Sequence, residues 1–305
     1  MIKLKQFNTV EGEAAAFGDL DKVDLYYDYY PDQYGGRRGS MASFGFRLLI
    51  AELPLHLGKP LDAMDRLYSL LAKVEQLLSK GTSYRNPKSA FLMRRCRMIK
   101  CSNFFFLDAK GSSLWKERKI RVQYALANCG IQQKDFELAS TILDQIHEYE
   151  SDKESKAKIR SIQGRLFLQL GDLFTAMRFF DEAAGLRTDE EALDTLIDKS
   201  CLSIASNNYL EAFELLKKAK DKNDPIVINN MSVCLLYLGK LKEALTLLEK
   251  NLTENPERFL QESFVLNLAT LYELESSYAG QKKQQLLDLM SKYAGDGVNT
   301  ACLKM

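Results

Sequence analysis

The sequence predicts an all-α chain of stacked helix hairpins that wind into a superhelix, and three observations carry that prediction. Over Lys156 to Glu190 two helical patterns of about a dozen residues meet at Gly171-Asp172. The second pattern sets Ala176, Phe180 and Ala183 at i, i+4 and i+7, so that small, large and small side chains line one helix face. The same arrangement then recurs. Setting each hinge beneath Gly171 gives Lys134-Asp135 followed by Ala139, Leu143 and Ile146; Asn207-Asn208 followed by Ala212, Leu216 and Ala219; and Gly239-Lys240 followed by Ala244, Leu248 and a closing Pro256.

The hinges at 134, 171, 207 and 239 are 37, 36 and 32 residues apart, close to the repeat of about 34 residues of tetratricopeptide proteins. Gly164, three residues before Phe167, and Ala176 four before Phe180 fit the glycine, aromatic and alanine positions of that pattern. Arg160 stands where it usually has Trp, Gln163 where it has Leu, and Thr188 where it ends with Pro. One hairpin cannot bury its apolar face alone; stacked neighbours share a continuous core, which gives a concave and a convex surface.

In chain order, residues 1 to 40 lie outside the repeat. From Glu11 to Asp32 the local charge balance is −6, and Tyr26, Tyr27, Tyr29, Tyr30 and Tyr34 are interleaved with it. Five tyrosines are costly to leave wet, so this acidic arm is expected to dock, either on the chain's own helices or on another subunit. Arg37-Arg38-Gly39-Ser40 has the spacing favoured by basophilic kinases. Residues 41 to 80 hold a first, weaker hairpin hinged at Gly58-Lys59-Pro60, with Ala63, Leu67 and Leu70 in its second helix; Pro54 should shorten or kink the first. The next hinge is 76 residues on, so residues 81 to 116 replace a missing unit.

That insertion is basic. Arg85 to Arg121 carries a balance of +9, with Arg94, Arg95, Arg97 and Lys100 as its densest group, against an overall charge of only +1. Ser89 to Asp108 reads as helical, Gly111-Ser112-Ser113 as a break, and Ser113 as a cap for the helix carrying Trp115. Such a patch suits an acidic protein surface, including the arm; anionic lipid or RNA is the other chemistry it fits, but no nucleic-acid signature accompanies it. Residues 117 to 295 form the repeat array, ending in a polar, degenerate capping unit. Residues 296 to 305 read as a loop-like tail, in which Cys302-Leu-Lys-Met has the spacing of a prenylation box but with Lys304 at an aliphatic position.

Composition, with 46% hydrophobic and 27% charged residues, is that of a globular chain. No apolar run approaches the roughly 18 residues of a membrane span, and the first residues lack a signal core. Six scattered cysteines and two histidines offer no zinc spacing. No phosphate-binding glycine loop, H-E-x2-H or G-x-S-x-G occurs. The sequence therefore predicts no enzyme, cofactor or metal, and a cytoplasmic binding protein whose first helices line a groove. The residues projected into it are Tyr124, Asn128, Lys158, Arg165, Ile197, Cys201, Asn229, Val233 and Tyr237. Asn128 and Lys158 suit a clamp for a chaperone's terminal carboxylate, whereas Ser161, Asp194 and Asp198 stand where further cations or amides are wanted, the aspartates as a source of repulsion.

Two stretches go beyond the generic repeat: RRGSMASFGFRLLIAELPLHLGKPLDAMDRLYSL (Arg37 to Leu70) and the end from Leu268 to Met305, with LATLYELESS, QKKQQLLDLM and NTACLKM. They resemble the tetratricopeptide half of the family of the twelfth subunit of the transport protein particle (TRAPP) complex. Members usually carry a long disordered N-terminal half, so the chain is either a short form or the folded part. The resemblance implies a non-catalytic adaptor of a TRAPP III assembly, acting in endoplasmic-reticulum-to-Golgi transport and autophagy. Other subunits would activate a Rab GTPase, the eighth and eleventh subunits would be the neighbours, and membrane association at the intermediate compartment and Golgi would come only through the complex.

Overall fold

A computed structural model describes residues 5–35, 37, 39–83, 109–189, 191–276, 278–293 and 298–304, without the side chains of residues 80–83 and 109–112. Its regular elements among the described residues are α-helices and short 3₁₀ helices, with one isolated antiparallel bridge, Tyr26 with Ser40. They form two units, residues 1–148 and 149–305, each an array of helix hairpins of the tetratricopeptide kind. The basic-patch residues Arg94, Arg95, Arg97 and Lys100 lie outside the described residues.

In the first unit α1 spans Phe7–Ala15, α2 Phe44–His56, α3 Pro60–Ser83, α4 Ala109–Gln132 and α5 Phe136–Tyr149. Ser43 caps α2 by accepting a hydrogen bond from the Phe46 amide at 3.2 Å. Pro54 does not break α2, which runs two residues beyond it. Proline has no N–H for the carbonyl of Ile50, and Arg66 of α3 donates to that oxygen instead, at 3.2 Å. The acidic arm folds onto its own first hairpin: Phe7 stacks on His56 at 4.5 Å, Phe17 meets Phe46 edge-on at 5.2 Å, and Asp21 pairs with Arg47 and Lys73. Its tyrosines shield one another, Tyr27 and Tyr30 each packing against Tyr34. Gly111-Ser112-Ser113 is not a break, because α4 already begins at Ala109. Trp115, nearly two turns into that helix, packs against Phe44 and lies beneath Arg118, and this packing outweighs the glycine's weak helix preference.

In the second unit α6 spans Lys153–Leu170, α7 Leu173–Leu186, α8 Leu193–Ala205, α9 Tyr209–Lys217, α10 Pro225–Tyr237, α11 Leu241–Glu254, α12 Pro256–Phe259, α13 Glu262–Glu275 and α14 Ala279–Tyr293. The residues that the repeat assigns to the packed face of each second helix are buried in both units: Ala63, Ala139, Ala176, Ala183, Ala212 and Ala244 are 0% exposed, and Leu67, Leu143, Phe180, Leu216 and Leu248 are at most 5% exposed.

The hinges share one backbone design. At Gly58, Lys134, Gly171, Asn207 and Gly239 the chain is left-handed, with φ of 72°, 62°, 79°, 62° and 76°. The next amide bonds back over five residues, as Lys59 to Pro54, Asp135 to Gly130, Asp172 to Phe167, Asn208 to Ser203 and Lys240 to Leu235, at 2.8 to 3.0 Å. This closure absorbs the last free carbonyls of each first helix. Asp135 and Asp172 then cap the second helices through Leu138 N and Thr175 N.

The departures at Arg160 and Gln163 compensate each other. Arg160 donates to Gln163 Oε1 at 2.8 Å, pairs with Glu182 at 3.0 Å, and lies over the Phe179 ring at 5.4 Å. A planar guanidinium therefore covers the area an indole covers in the common pattern, while satisfying a glutamine that is 0% exposed. The final residues are docked and not loop-like: Thr300–Leu303 forms a 3₁₀ turn, Leu303 is 0% exposed in the core of α11, α13 and α14, and Lys283 donates to Lys304 O at 3.1 Å. Cys302 packs against the same core.

Candidate protein-binding surface

Side chains left facing outward on first helices are the material for binding, and each unit supplies its own. In the first unit Tyr124, 39% exposed, and Asn128, also exposed, lie one turn apart on α4. The neighbouring interior is closed: Cys129 is fully buried, and burial, then the charge of Glu52, pushes its thiol up to about 11.

In the second unit Lys158, Ile162 and Arg165 form an exposed stripe along α6. Lys158 is 59% exposed and pairs with Glu154 of its own helix at 3.7 Å, near Asp152 at the start of that helix. Arg165 reaches across to α8, donating from Nη2 to Asp198 Oδ1 at 2.9 Å. Asp198 is the hub of a buried network. Its other oxygen accepts from the Ser161 hydroxyl and from Arg187 Nη1 at 3.2 Å, and Arg187 also donates to Ser161 Oγ at 2.8 Å and Thr195 Oγ1 at 3.2 Å. The Asp198 carboxylate is 2% exposed and the Arg187 guanidinium 3%, with Asp194 completing the group 4.0 Å from Arg187. A lone charge buried this deeply is prohibitive; two guanidiniums and two carboxylates together balance.

That geometry corrects the sequence reading of Asp198 as a source of repulsion in an open groove. It is consumed in joining α6, the end of α7 and α8. Ile197 is corrected likewise: at 4% exposure it faces inward and presents nothing to a partner. Cys201, on the same helix, is half-buried, and burial raises its thiol. Sequence reasoning missed Arg187 altogether, because it lies just past α7 in a segment with no periodic signal.

On α10, Asn229 Oδ1 accepts from Asn267 Nδ2 of α13 at 2.9 Å, Val233 is half-buried, and Tyr237 is 62% exposed. One face of the Tyr237 ring is covered by Tyr209, stacked at 4.5 Å and 6°, which leaves the other available. With Ile226 at 49% and Leu266 at 37% exposure, this end of the unit is amphipathic, whereas the α6 end is cationic. Among the described residues no group of three or more His, Cys, Asp and Glu is placed to hold a metal ion, and no helix is long and apolar enough to cross a membrane. Asn128 and Lys158, the pair that suggested a carboxylate clamp, belong to different units.

Helix hairpins that expose aromatic, amide and cationic side chains on their first helices define a repeat protein of the binding class. No protein-family model matches the chain. Curated relatives do: it is 36% identical over 318 residues to human trafficking protein particle complex subunit 12 and 36% identical over 314 residues to the mouse protein of that name, with 100% of this chain covered in both. The chain belongs to the trafficking protein particle complex subunit 12 family, and it spans about two fifths of the length of those relatives, 41% and 38%. Solved structures similar to it include a tetratricopeptide repeat protein from Parabacteroides merdae, at 14% identity and a TM-score of 0.47 over 86% of this chain and 96% of that one. Another is a Rap protein complexed with competence and sporulation factor, at 14% identity and a TM-score of 0.45 over 97% of this chain and 77% of that one. Likeness at that level is too loose to bear on function.

Proposed function

We propose that the chain is a non-catalytic adaptor of a vesicle-tethering complex of the TRAPP III type. In this reading it holds the eighth and eleventh subunits, while other subunits activate a Rab GTPase in endoplasmic-reticulum-to-Golgi transport and autophagy. It works at the cytoplasmic face of the intermediate compartment and Golgi, reaching the membrane only through the complex and binding no nucleic acid. The observation that carries the proposal is kinship along the whole chain, hairpins and docked C-terminal turn included, to subunit 12. The exposed Lys158, Arg165 and Tyr237 in one unit, and Tyr124 and Asn128 in the other, are the contact residues proposed.

The test is replacement. Tagged chain is expressed in human cells depleted of subunit 12, beside the matching segment of the human protein, and lysates are resolved by size. Co-migration of the chain with the eighth and eleventh subunits in a large assembly is expected, reduced by a Lys158→Glu, Tyr237→Ala double variant that melts like the parent. Migration as free chain while the human segment assembles refutes it.

A further inference from the structure

The loop that follows the acidic arm holds a serine whose hydroxyl is built into the arm's attachment. Arg47, near the start of α2 and only 14% exposed, donates three ways: Nη1 to Asp21 Oδ1 at 2.7 Å, Nη2 to the Leu20 carbonyl at 2.7 Å, and Nη2 to Ser40 Oγ at 2.9 Å. Lys73 of α3 holds the other oxygen of Asp21. Residue 40 also sits between the two rungs that tie the arm to the loop, Tyr27 N to Gly39 O at 2.9 Å and Met41 N to Leu25 O at 2.8 Å. The residues before it in the chain, Arg37-Arg38-Gly39, supply the basic pair that basophilic kinases read, and Arg37 is exposed.

We propose that Ser40 is a phosphorylation site for a basophilic serine/threonine kinase, and that its phosphoryl group takes Arg47 from Leu20 and Asp21 and so frees the arm. In the transfer the bond between the γ-phosphorus of a nucleoside triphosphate and its bridging oxygen breaks, and a phosphorus bond to Ser40 Oγ forms. The hydroxyl proton passes to the kinase's catalytic carboxylate, and nucleoside diphosphate leaves. The product carries about −1.5 to −2 charge and three strong acceptors at neutral pH. Its oxygens arrive beside donors already 2.9 Å from Oγ, where a phosphate outcompetes a peptide carbonyl and a single carboxylate. Charge decides the direction of the switch. Arg47 and Lys73 now outweigh Asp21 by one; after modification the same group is negative, and Asp28, which accepts from Gly39 N at 3.0 Å, sets a second carboxylate on the residue next to the phosphate. Asp21 keeps only Lys73, an ion pair with both partners more than a third exposed and correspondingly weak. Leu20 and Asp21 of the arm form one wall of a recess of about 340 Å³ whose other wall is Ile50, Leu70 and Lys73, so departure of the arm removes that wall and bares the surface of α2 and α3 behind it.

The test uses the full chain, the catalytic subunit of protein kinase A and ATP. The expected result is one phosphoryl group mapped to Ser40 and missing from Ser40→Ala. Amide hydrogen exchange across residues 19–28 should accelerate about tenfold or more, as for loss of charge-assisted hydrogen bonds, while α3 is unchanged. Unmodified Arg47→Gln should already exchange fast in that segment and gain nothing on phosphorylation. No transfer to the folded chain, where the kinase modifies a free peptide spanning residues 34–44, overturns the proposal. So does a modified Ser40 with exchange unchanged or slowed, or further acceleration in modified Arg47→Gln.

Discussion

Replacing Gly164 with alanine puts the close packing of α6 on α7 to the test. A Cβ at that position would stand 2.4, 2.6 and 2.9 Å from Cε1, Cδ1 and Cζ of Phe180, inside the carbon–carbon contact distance of about 3.5 Å. Phe180 is 5% exposed on α7 and has nowhere to swing. Either the ring leaves its rotamer or α6 and α7 separate, and such overpacking costs about 1–3 kcal/mol. With three ring atoms in conflict the upper end applies. Alanine returns about 1 kcal/mol of helix propensity, so Gly164→Ala should destabilise by about 2 kcal/mol. For a unit of this size that lowers the melting temperature by about 4–8 °C. In a Phe180→Leu background the clash is absent and the propensity gain remains, so the same substitution should stabilise by about 1 kcal/mol, a coupling of about 3 kcal/mol. The single tryptophan, Trp115, belongs to the first unit, so helix dichroism in urea is the proper signal, not tryptophan emission. A Gly164→Ala chain as stable as the parent, or an equal loss in both backgrounds, would refute this account of the hairpin.

The hinges predict opposite signs at equivalent positions. Lys134→Gly, which relieves a non-glycine residue at φ 62°, should stabilise by about 1 kcal/mol, and Gly171→Ala, at φ 79°, should cost about as much; thermal melts decide both. Asp198→Asn leaves Arg187 buried without its main countercharge and should cost about 3 kcal/mol in urea unfolding, whereas Asp194→Asn, 41% exposed, should change stability by under about 0.5 kcal/mol. Arg66→Met should cost about 1 kcal/mol in the parent and close to nothing once Pro54→Ala restores an N–H for the Ile50 carbonyl. Burial pushes the thiols of Cys129 and Cys234 up to about 11, so at pH 8 only about one in a thousand is thiolate. Alkylation mapped by mass spectrometry should label Cys201 and Cys302 in the native chain, and Cys129 and Cys234 only once denaturant unfolds it.

The repeat was legible because its signals are local. An alanine at i and a large residue at i+4 mark the packed face of a helix wherever they occur, and each of those alanines is buried. The hinges at 134 and 207 were found from the spacing and the alanine pattern, although neither is glycine: asparagine accepts a left-handed turn readily, whereas at Lys134 tertiary packing of the helices on either side imposes the turn and overrides a local cost of about 1 kcal/mol. What failed was also local reasoning. Gly111-Ser112-Ser113 looks like a stop in any short window, and only the contact of Trp115 with Phe44, 71 residues upstream, shows why the helix runs through it.

The surface was less legible, because a side chain's availability depends on what lies opposite it in space. Arg165 and Asp198 are 33 residues apart, about one repeat, which is the distance at which neighbouring first helices bring equivalent positions together. Opposite charges at that interval are therefore a signal for a pair and not for two independent surface groups; read so, Asp198 would have been assigned to Arg165 from the sequence. Arg187 obeys no such interval, since it enters from the connection after α7, and nothing short of the fold reveals it. The same logic sorts the candidates that remain. Tyr237 is stacked on one face by Tyr209 yet 62% exposed, and Lys158 is 59% exposed beside the carboxylates at the start of its own helix, so these two retain unspent binding capacity, whereas Asn229 has already committed its carbonyl to Asn267. A partner that docks on the second unit should lose more affinity from Tyr237→Ala than from Asn229→Ala, for the reason that the first removes a surface the fold does not use and the second disturbs one that it does.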